Sequence, residues 1–243
     1  MLNLFRAQLY RLVRTRATWI ALALVLFAEA ISAVATSADW ATSETFLDVL
    51  MRFSVLIWVS VYVPLYFAWF VTQDFKTGAV EALLVSPRSR LQYAAAIALV
   101  GALAVAVVLL AAMGIAGALW QLAGLGSVSF SLDATALWYL LALLICWGYL
   151  VLCLVCAPFG KEVLSLTVGA LLVSGLVLAP VAMLPWPIGG PFYETIFDHS
   201  LAYVRLAFGF GAPFEGSWLV NVSLVVVAAW AMFALIVRRK GVR

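Results

Sequence analysis

Few residues of this chain carry side chains that could do acid–base, nucleophilic or metal chemistry. The single histidine, His199, cannot by itself form a zinc site, which needs several protein ligands. Cys153 and Cys156 form a C-x-x-C pair, but they lie in an apolar stretch without a second ligand pair, which favours ordinary packing over redox or metal chemistry. The sequence contains no phosphate-binding loop, zinc-protease motif or nucleophile elbow. The chain itself is therefore predicted to lack catalytic activity and to hold no cofactor or metal.

Two charged residues stand in or beside long apolar stretches. Glu29 lies near the middle of the first stretch, and Arg52 stands at the start of the second. A carboxylate at the centre of a hydrocarbon core costs on the order of 2.5 kcal/mol or more, so Glu29 is predicted to be protonated, paired or in contact with water. Two roles stay open for it: an intramembrane pair with Arg52, or a place on a substrate path.

The apolar content decides which kind of structure must position these residues. Of 243 residues, 67% are hydrophobic and 10% are charged, whereas an ordinary soluble domain is about 25% charged. The apolar residues form six stretches near the roughly 20 residues that a helix needs to cross a bilayer, and backbone groups in lipid must be satisfied internally. We therefore predict an all-α integral membrane protein with six transmembrane helices in a single domain, residues 1–243. The predicted spans are 17–36, 53–72, 93–119, 136–156, 163–184 and 217–237.

Three further segments flank these spans. Residues 1–16 place apolar side chains on one helical face and Arg6, Arg11, Arg14 and Arg16 around the other, which predicts an N-terminal amphipathic interfacial helix. Residues 196–208 have an apolar face opposed by His199, which predicts an extracellular helix between spans five and six. Residues 238–243 form a basic tail.

The distribution of basic residues predicts the orientation, because Lys and Arg in short loops stay in the cytoplasm. Twelve basic residues fall on one side of the predicted zigzag: Arg6, Arg11, Arg14, Arg16, Lys76, Arg88, Arg90, Lys161, Arg238, Arg239, Lys240 and Arg243. The other side has Arg52 and Arg205. Both chain ends are therefore predicted to be cytoplasmic.

The cytoplasmic connection between spans two and three, residues 74–90, carries the most specific pattern. Phe75, Val80 and Leu83 recur at helical spacing and predict a short amphipathic helix from about residue 75 to 85. Ser86 suits an N-cap and Pro87 the first position of the next helix, so a stiff elbow is expected there. From physics alone, a helix lying on anionic headgroups is an equal alternative.

The same segment resembles the coupling segment of ABC-2 type permeases, the membrane subunits of many bacterial ABC exporters. The shared pattern is acid-x-x-x-Gly-x-aliphatic-x-x-Leu-Leu-x-x-Pro-x-Ser-Arg after the second of six spans. The matching positions are Asp74, Gly78, Val80, Leu83, Leu84, Pro87, Ser89 and Arg90. The family more often has Glu at the first position and Thr after the glycine, where this chain has Asp74 and Ala79.

The resemblance implies a permease subunit in a bacterial cytoplasmic (inner) membrane. It implies two permease chains, as a homodimer or a heterodimer, and separate cytoplasmic ATPase subunits that bind ATP and Mg. The implied cargo is amphiphilic, such as an antimicrobial peptide, a drug or a lipid, and no nucleic-acid partner is expected. The implied ATPase-coupling residues are Asp74, Phe75, Gly78, Glu81, Leu83, Leu84, Pro87, Arg88, Arg90 and Lys161, which lies between spans four and five.

Two alternatives remain. A haem-exporter-like permease of cytochrome c maturation has a similar size and coupling segment, although the basic tail and the lack of a haem-ligand motif speak against it. An intramembrane enzyme or a channel would need paired catalytic residues or a charged pore helix, and neither pattern is evident in the sequence.

Overall fold

The computed structural model describes residues 2–35, 45–52, 55–78, 87–122, 129–174, 204 and 216–239. Within these ranges the regular elements are helices, and one isolated β-bridge pairs Thr45 with Ser129. The helices are α1 Leu2–Arg14, α2 Arg16–Ala35, α3 Phe46–Arg52, α4 Val55–Lys76, α5 Pro87–Leu122, α6 Leu132–Leu154, α7 Glu162–Ser174 and α8 Gly216–Arg239, with a 3-10 turn Ala157–Phe159 before α7.

Four helical segments are long and apolar enough to cross a membrane. They are Val55–Lys76, Ser89–Leu122, Leu132–Phe159 and Gly216–Arg239. Shorter apolar helical segments occur in α2 and α7, at the places of the first and fifth predicted spans. The described part of the chain is therefore helical and of the multi-pass membrane type.

Local signals in the sequence account for where several helices begin and end. α5 begins at Pro87, as predicted, because a proline at the first helical position has no N–H to satisfy. Ser131 caps α6 by accepting a hydrogen bond from the amide of Ala134. α4 ends at Lys76, where Thr77 forms a turn and Gly78 takes a positive φ of 69°.

The end of α4 differs from the predicted coupling helix. We expected a helix from about residue 75 to 85, but Phe75 belongs to the last turn of α4. The left-handed conformation of Gly78 interrupts the helix, because it turns the chain out of the right-handed helical path. Residues 79–86, with the rest of the predicted coupling helix, lie outside the described residues.

α4, α5 and α6 form the centre of the bundle. α4 packs against α2, α5, α6 and α7, and α8 packs against α5 and α6. α5 and α6 approach closely at Gly101, where an added Cβ would stand 2.7 Å from a methyl carbon of Leu150. Small residues at such crossings let helices approach each other, which promotes helix association in lipid.

The two ends of the bundle are distinguished by the segments that meet there. At one end, the segment before α3 meets the segment before α6: the Phe46 amide donates to the Ser129 carbonyl at 3.2 Å, and the rings of Phe46 and Phe130 lie 5.8 Å apart. At the opposite end lie the C-terminus of α4 and the N-terminus of α5. We call this second end the polar end, because its charged side chains are joined across helices.

Candidate functional site

The polar end is organised around the last turn of α4, residues 73–76. Neighbouring residues in this turn reach different helices: Asp74 contacts α1 and α5, whereas Gln73 and Lys76 contact the start of α7. Since successive residues on a helix point in directions about 100° apart, one turn can connect helices on different sides of it.

The first connection is the Asp74 cluster, formed by Arg11, Asp74 and Tyr93. Arg11 of α1 makes an ion pair with Asp74. The Tyr93 hydroxyl of α5 donates to the Asp74 carboxylate at 2.9 Å. Asp74 is only 4% exposed and Tyr93 is fully buried, so the carboxylate is shielded from solvent and held by two partners. A buried charge needs such partners, since an unpaired one would be expelled or neutralised.

Arg11 is held in place by α4 as well as by the carboxylate. Its Nη2 donates to the carbonyl oxygen of Phe70 at 3.1 Å, and its guanidinium carbon lies 3.9 Å from the centre of the Phe70 ring. This is a cation–π arrangement of normal geometry. The sequence predicted Arg11 on the polar face of an interfacial helix. In the structure its side chain reaches the bundle instead, where it pairs with the buried Asp74 carboxylate and packs on the Phe70 ring.

Phe75 supports the same cluster from the apolar side. Its ring meets the Tyr93 ring edge-on, with centroids 5.9 Å apart, and the residue is 9% exposed. Edge-to-face packing of this kind stabilises aromatic pairs beyond the area they bury. Phe75 thereby fixes the ring whose hydroxyl holds Asp74.

The second connection is the Glu162 cluster, formed by Gln73, Lys76 and Glu162. The Glu162 carboxylate accepts from the Gln73 amide at 2.7 Å and pairs with the Lys76 ammonium at 2.6 Å. The hydrogen bond from Lys76, followed by that from Gln73, holds the pKa of Glu162 below its ordinary value. Glu162 precedes the fifth predicted span, and this cluster is much more open to solvent than the Asp74 cluster.

The short turn between α6 and α7 places Glu162 beside the last turn of α4. Gly160 ends the 3-10 turn in a left-handed conformation, with φ of 68°, and a Cβ added to it would stand 3.7 Å from backbone atoms of Phe75 and Lys76. A glycine suits this place because residues with a Cβ adopt positive φ at a cost. The turn thus packs directly on the end of α4.

A third connection joins α5 to α8. Arg90 Nη1 donates to the carbonyl oxygen of Arg238, in the last turn of α8, at 2.7 Å. The last carbonyls of a helix lack intrahelical partners, so a guanidinium is a favourable ligand for them. Five segments therefore meet at the polar end of the bundle: α1, the end of α4, the start of α5, the start of α7 and the end of α8.

The structure describes only part of the predicted coupling set. Asp74 and Phe75 are buried within the chain, and Gly78 takes a positive φ in the turn that follows α4. Lys161 is exposed beside Glu162.

Other predicted residues are described less fully or not at all. Pro87 and Arg88 lie in the first turn of α5, although the Arg88 side chain is outside the described part. Glu81, Leu83 and Leu84 lie outside it altogether.

The predicted intramembrane pair lies outside the described side chains. Glu29 is in α2 and Arg52 ends α3, but neither side chain is described. His199 is also outside the described residues, and of the predicted extracellular helix the structure describes Val204, which is fully buried.

The two cysteines of the C-x-x-C pair are separated by the end of α6. Cys153 is buried in α6, while Cys156 stands at the start of the 3-10 turn and both are free thiols. Among the described residues, no group of three or more His, Cys, Asp or Glu side chains could hold a metal ion.

The sequence reasoning missed five residues of these clusters as site residues: Arg11, Gln73, Lys76, Tyr93 and Glu162. Opposite charges at the ends of apolar segments favour pairing, but several basic residues flank these segments, so this signal does not single out Arg11 as the partner of Asp74. Nothing local distinguished Gln73 or Tyr93, because their partners are distant in the chain.

Comparison with known proteins gives no family assignment: no family model and no curated protein matches this chain.

Proposed function

We propose that this chain is the permease subunit of an ATP-driven exporter of the ABC-2 type. In this proposal it spans a bacterial cytoplasmic membrane six times, with both ends in the cytoplasm, and a second permease chain completes the transport path. Separate cytoplasmic ATPase subunits bind ATP and Mg, so the chain itself is not an enzyme. The cargo is amphiphilic.

The observation that carries this proposal is the set of connections made by the last turn of α4. The coupling segment of the proposed family begins at Asp74, and in this chain Asp74 is bonded to α1 and α5 while its neighbours are bonded to α7. A push on the segment after Gly78 would therefore reach three helices through ion pairs and hydrogen bonds rather than be lost in a flexible loop. Rigid-body motion of packed helices is the usual way in which such a push becomes a conformational change.

The meeting of segments at the polar end supports the proposed topology. The predicted cytoplasmic segments around Arg11, Lys76, Arg90, Glu162 and Arg238 lie together, and the segments around Thr45 and Ser129 lie at the opposite end. An even number of crossings must separate any two segments at the same end. A six-span zigzag with two cytoplasmic ends satisfies this condition.

The buried position of Asp74 changes the role assigned to it. With 4% exposure, its carboxylate is in contact with its own chain rather than with a partner. In the proposal, Asp74 anchors the coupling segment internally, and the surface that meets the ATPase is formed by residues 79–86 and the exposed Lys161.

Purification of the full chain from native membranes in mild detergent tests the proposal. We expect an ATPase with a phosphate-binding loop to co-purify, and Lys161→Glu to weaken this association because it reverses an exposed charge at the docking surface. Asp133→Lys is the matched control, since Asp133 is an exposed residue near the opposite end. Recovery of transport by this chain alone, without ATP, would refute the proposal and favour a channel or another carrier.

A further inference from the structure

A cavity lies beside the N-terminal helix, at its junction with the bundle. It has a volume of about 230 Å³ and lies between α1, α2, α4 and α5. Most of the side chains that line it are apolar, among them Leu9, Leu12, Leu22, Val25, Phe67 and Val107. For comparison, an apolar cavity of about 150 Å³ stays dry and binds benzene.

Three of the polar side chains in the cavity wall, Thr18, Trp19 and Tyr66, use their polar hydrogens within the protein. Thr18 donates its single hydroxyl hydrogen to the Leu12 carbonyl at 2.6 Å, so the Tyr66 hydroxyl, 2.5 Å away, must donate to Thr18. The Trp19 indole N–H donates to the Val13 carbonyl at 2.8 Å. A trapped water would need two or more polar partners, and this wall offers few. Hydrocarbon is therefore a better occupant of the cavity than water.

The cavity opens towards the outside of the bundle. Val107 and Leu103, which line it, are 55% and 41% exposed, and Trp19 at its rim is 57% exposed. α4 and α5 are long and apolar enough to span a membrane, so in a bilayer this exposed apolar surface would face lipid. An acyl chain can enter the cavity sideways from the bilayer.

One end of the cavity is flanked by arginines. Within the described part of the chain Arg14 and Arg16 make no ion pair, although Arg14 donates to the Tyr10 hydroxyl. Residues 1–28 contain four arginines and no acidic residue, and one of the four, Arg11, is committed to Asp74. Arg14 ends α1 and Arg16 begins α2, within one helical turn of the cavity residues Thr18 and Trp19. Juxtamembrane arginines attract anionic headgroups, and an indole in this position is typical of the membrane interface.

A second membrane-facing cleft lacks this combination. It has a volume of about 470 Å³ between α5, α6 and α8 and is lined by residues such as Leu99, Val227 and Trp230. Among the described residues, neither cavity has a basic residue in its wall, but along the chain no lysine or arginine lies within one helical turn of the residues that line this cleft, whereas Arg14 and Arg16 stand that close to the first cavity. Volume alone therefore does not distinguish the two cavities. The adjacent arginines do.

We propose that the cavity between α1, α2, α4 and α5 binds one acyl chain of an anionic phospholipid, with the lipid phosphate against Arg14 and Arg16. Such a lipid would fill the gap behind α1 and hold α1 against α4, where Arg11 meets Asp74. The inference requires only that the chain lies in a bilayer. It does not depend on a partner ATPase or on the identity of the cargo.

Native mass spectrometry of the purified full chain in mild detergent tests this site. The probes are phosphatidylglycerol and phosphatidylcholine with the same acyl chains. We expect phosphatidylglycerol to bind more tightly. Replacing Arg14 and Arg16 by Gln should weaken its binding by about fivefold per arginine. The binding of phosphatidylcholine should weaken less, because its choline cation offsets the charge of its phosphate.

Filling the cavity tests the acyl-chain half of the proposal. Val107→Trp should weaken the binding of both lipids by about tenfold or more, whereas Val227→Trp in the second cleft should leave the tight site unchanged. The two valines are matched, because they are 55% and 62% exposed. Ala104→Leu provides a smaller filling substitution if the tryptophan variant does not fold, as judged by its elution profile and melting temperature.

Two results would overturn the proposal. One is tight lipid binding that survives both Val107→Trp and Ala104→Leu in folded protein. The other is a phosphatidylglycerol preference that the arginine substitutions do not reduce.

Discussion

Removal of the charge from Asp74 should destabilise the polar end of the bundle. Asp74→Asn keeps the size of the side chain and an oxygen for the Tyr93 hydroxyl, but it leaves the Arg11 guanidinium without its counter-charge. Loss of one partner of a fully buried pair costs about 3–5 kcal/mol, while an exposed pair contributes about 1 kcal/mol or less. The Asp74 side chain is 5% exposed and that of Arg11 is 35% exposed, so the pair lies between these limits. We expect a loss of about 2 kcal/mol in the free energy of unfolding, since the guanidinium regains part of its hydration.

A double-mutant cycle separates the pair from other effects of the substitution. Arg11→Gln and Asp74→Asn are made singly and together, and the free energy of unfolding is measured in mixed micelles by titration with a denaturing detergent. The double variant should be more stable than the sum of the single losses implies, by about 1–2 kcal/mol. Asp133→Asn, at an exposed site near the other end, should change stability by less than about 0.5 kcal/mol.

The cycle can refute this reasoning directly. A coupling energy within the roughly 0.3–0.5 kcal/mol scatter of independent sites would mean that Arg11 and Asp74 do not stabilise one another. The same variants also inform the proposed function. If the pair transmits motion, Asp74→Asn should lower cargo-stimulated ATP hydrolysis even under conditions where the complex remains assembled.

Two further predictions concern the second connection and the helix crossing. The pKa of Glu162 is lowered in the folded state, so its contribution to stability is complete above the ordinary glutamate pKa of 4.5 and is lost as the pH falls through the lower folded value. Unfolding measured between pH 3 and pH 7 should therefore show an acid-dependent loss of stability that is smaller in Glu162→Gln and in Lys76→Met. An unchanged pH profile in both variants would contradict the pairing. Gly101→Ala should lower the free energy of unfolding by about 1–3 kcal/mol, because its Cβ would meet the buried Leu150 side chain at 2.7 Å. The control Gly114→Ala, whose Cβ would have nothing within 4 Å, should be neutral or slightly stabilising. Equal melting temperatures for the two variants would show that α5 and α6 are not closely packed at Gly101.

Much of the helical framework follows from the sequence alone. Long apolar runs with few charges are stable in lipid only as helices, so the places of α4, α5, α6 and α8 could be predicted to within a few residues. The start of α5 at Pro87 could also be predicted, because proline has a strong local preference for the first helical position. These are properties of single segments and do not depend on their neighbours.

The C-terminal end of α4, and the helix to which Phe75 belongs, could not be predicted in the same way. Helical spacing from Phe75 to Leu83 is equally compatible with a separate surface helix and with the last turn of a longer one. The packing of Phe75 against Tyr93 and the positive φ of Gly78 decide between them. Periodicity identifies the apolar face of a segment but does not state which helix that face meets.

Tertiary structure alone decided the pairing of charges at the polar end. The sequence predicted that Arg11 faces the headgroups from an amphipathic helix, and it indicated no partner for Glu162 in the short turn before span five. Both find their partners on the last turn of α4, which is remote from them in the chain and becomes adjacent only when the helices pack. An ion pair depends on the distance between two side chains and on their shielding from water, and both quantities are set by the packing of whole helices rather than by the local sequence.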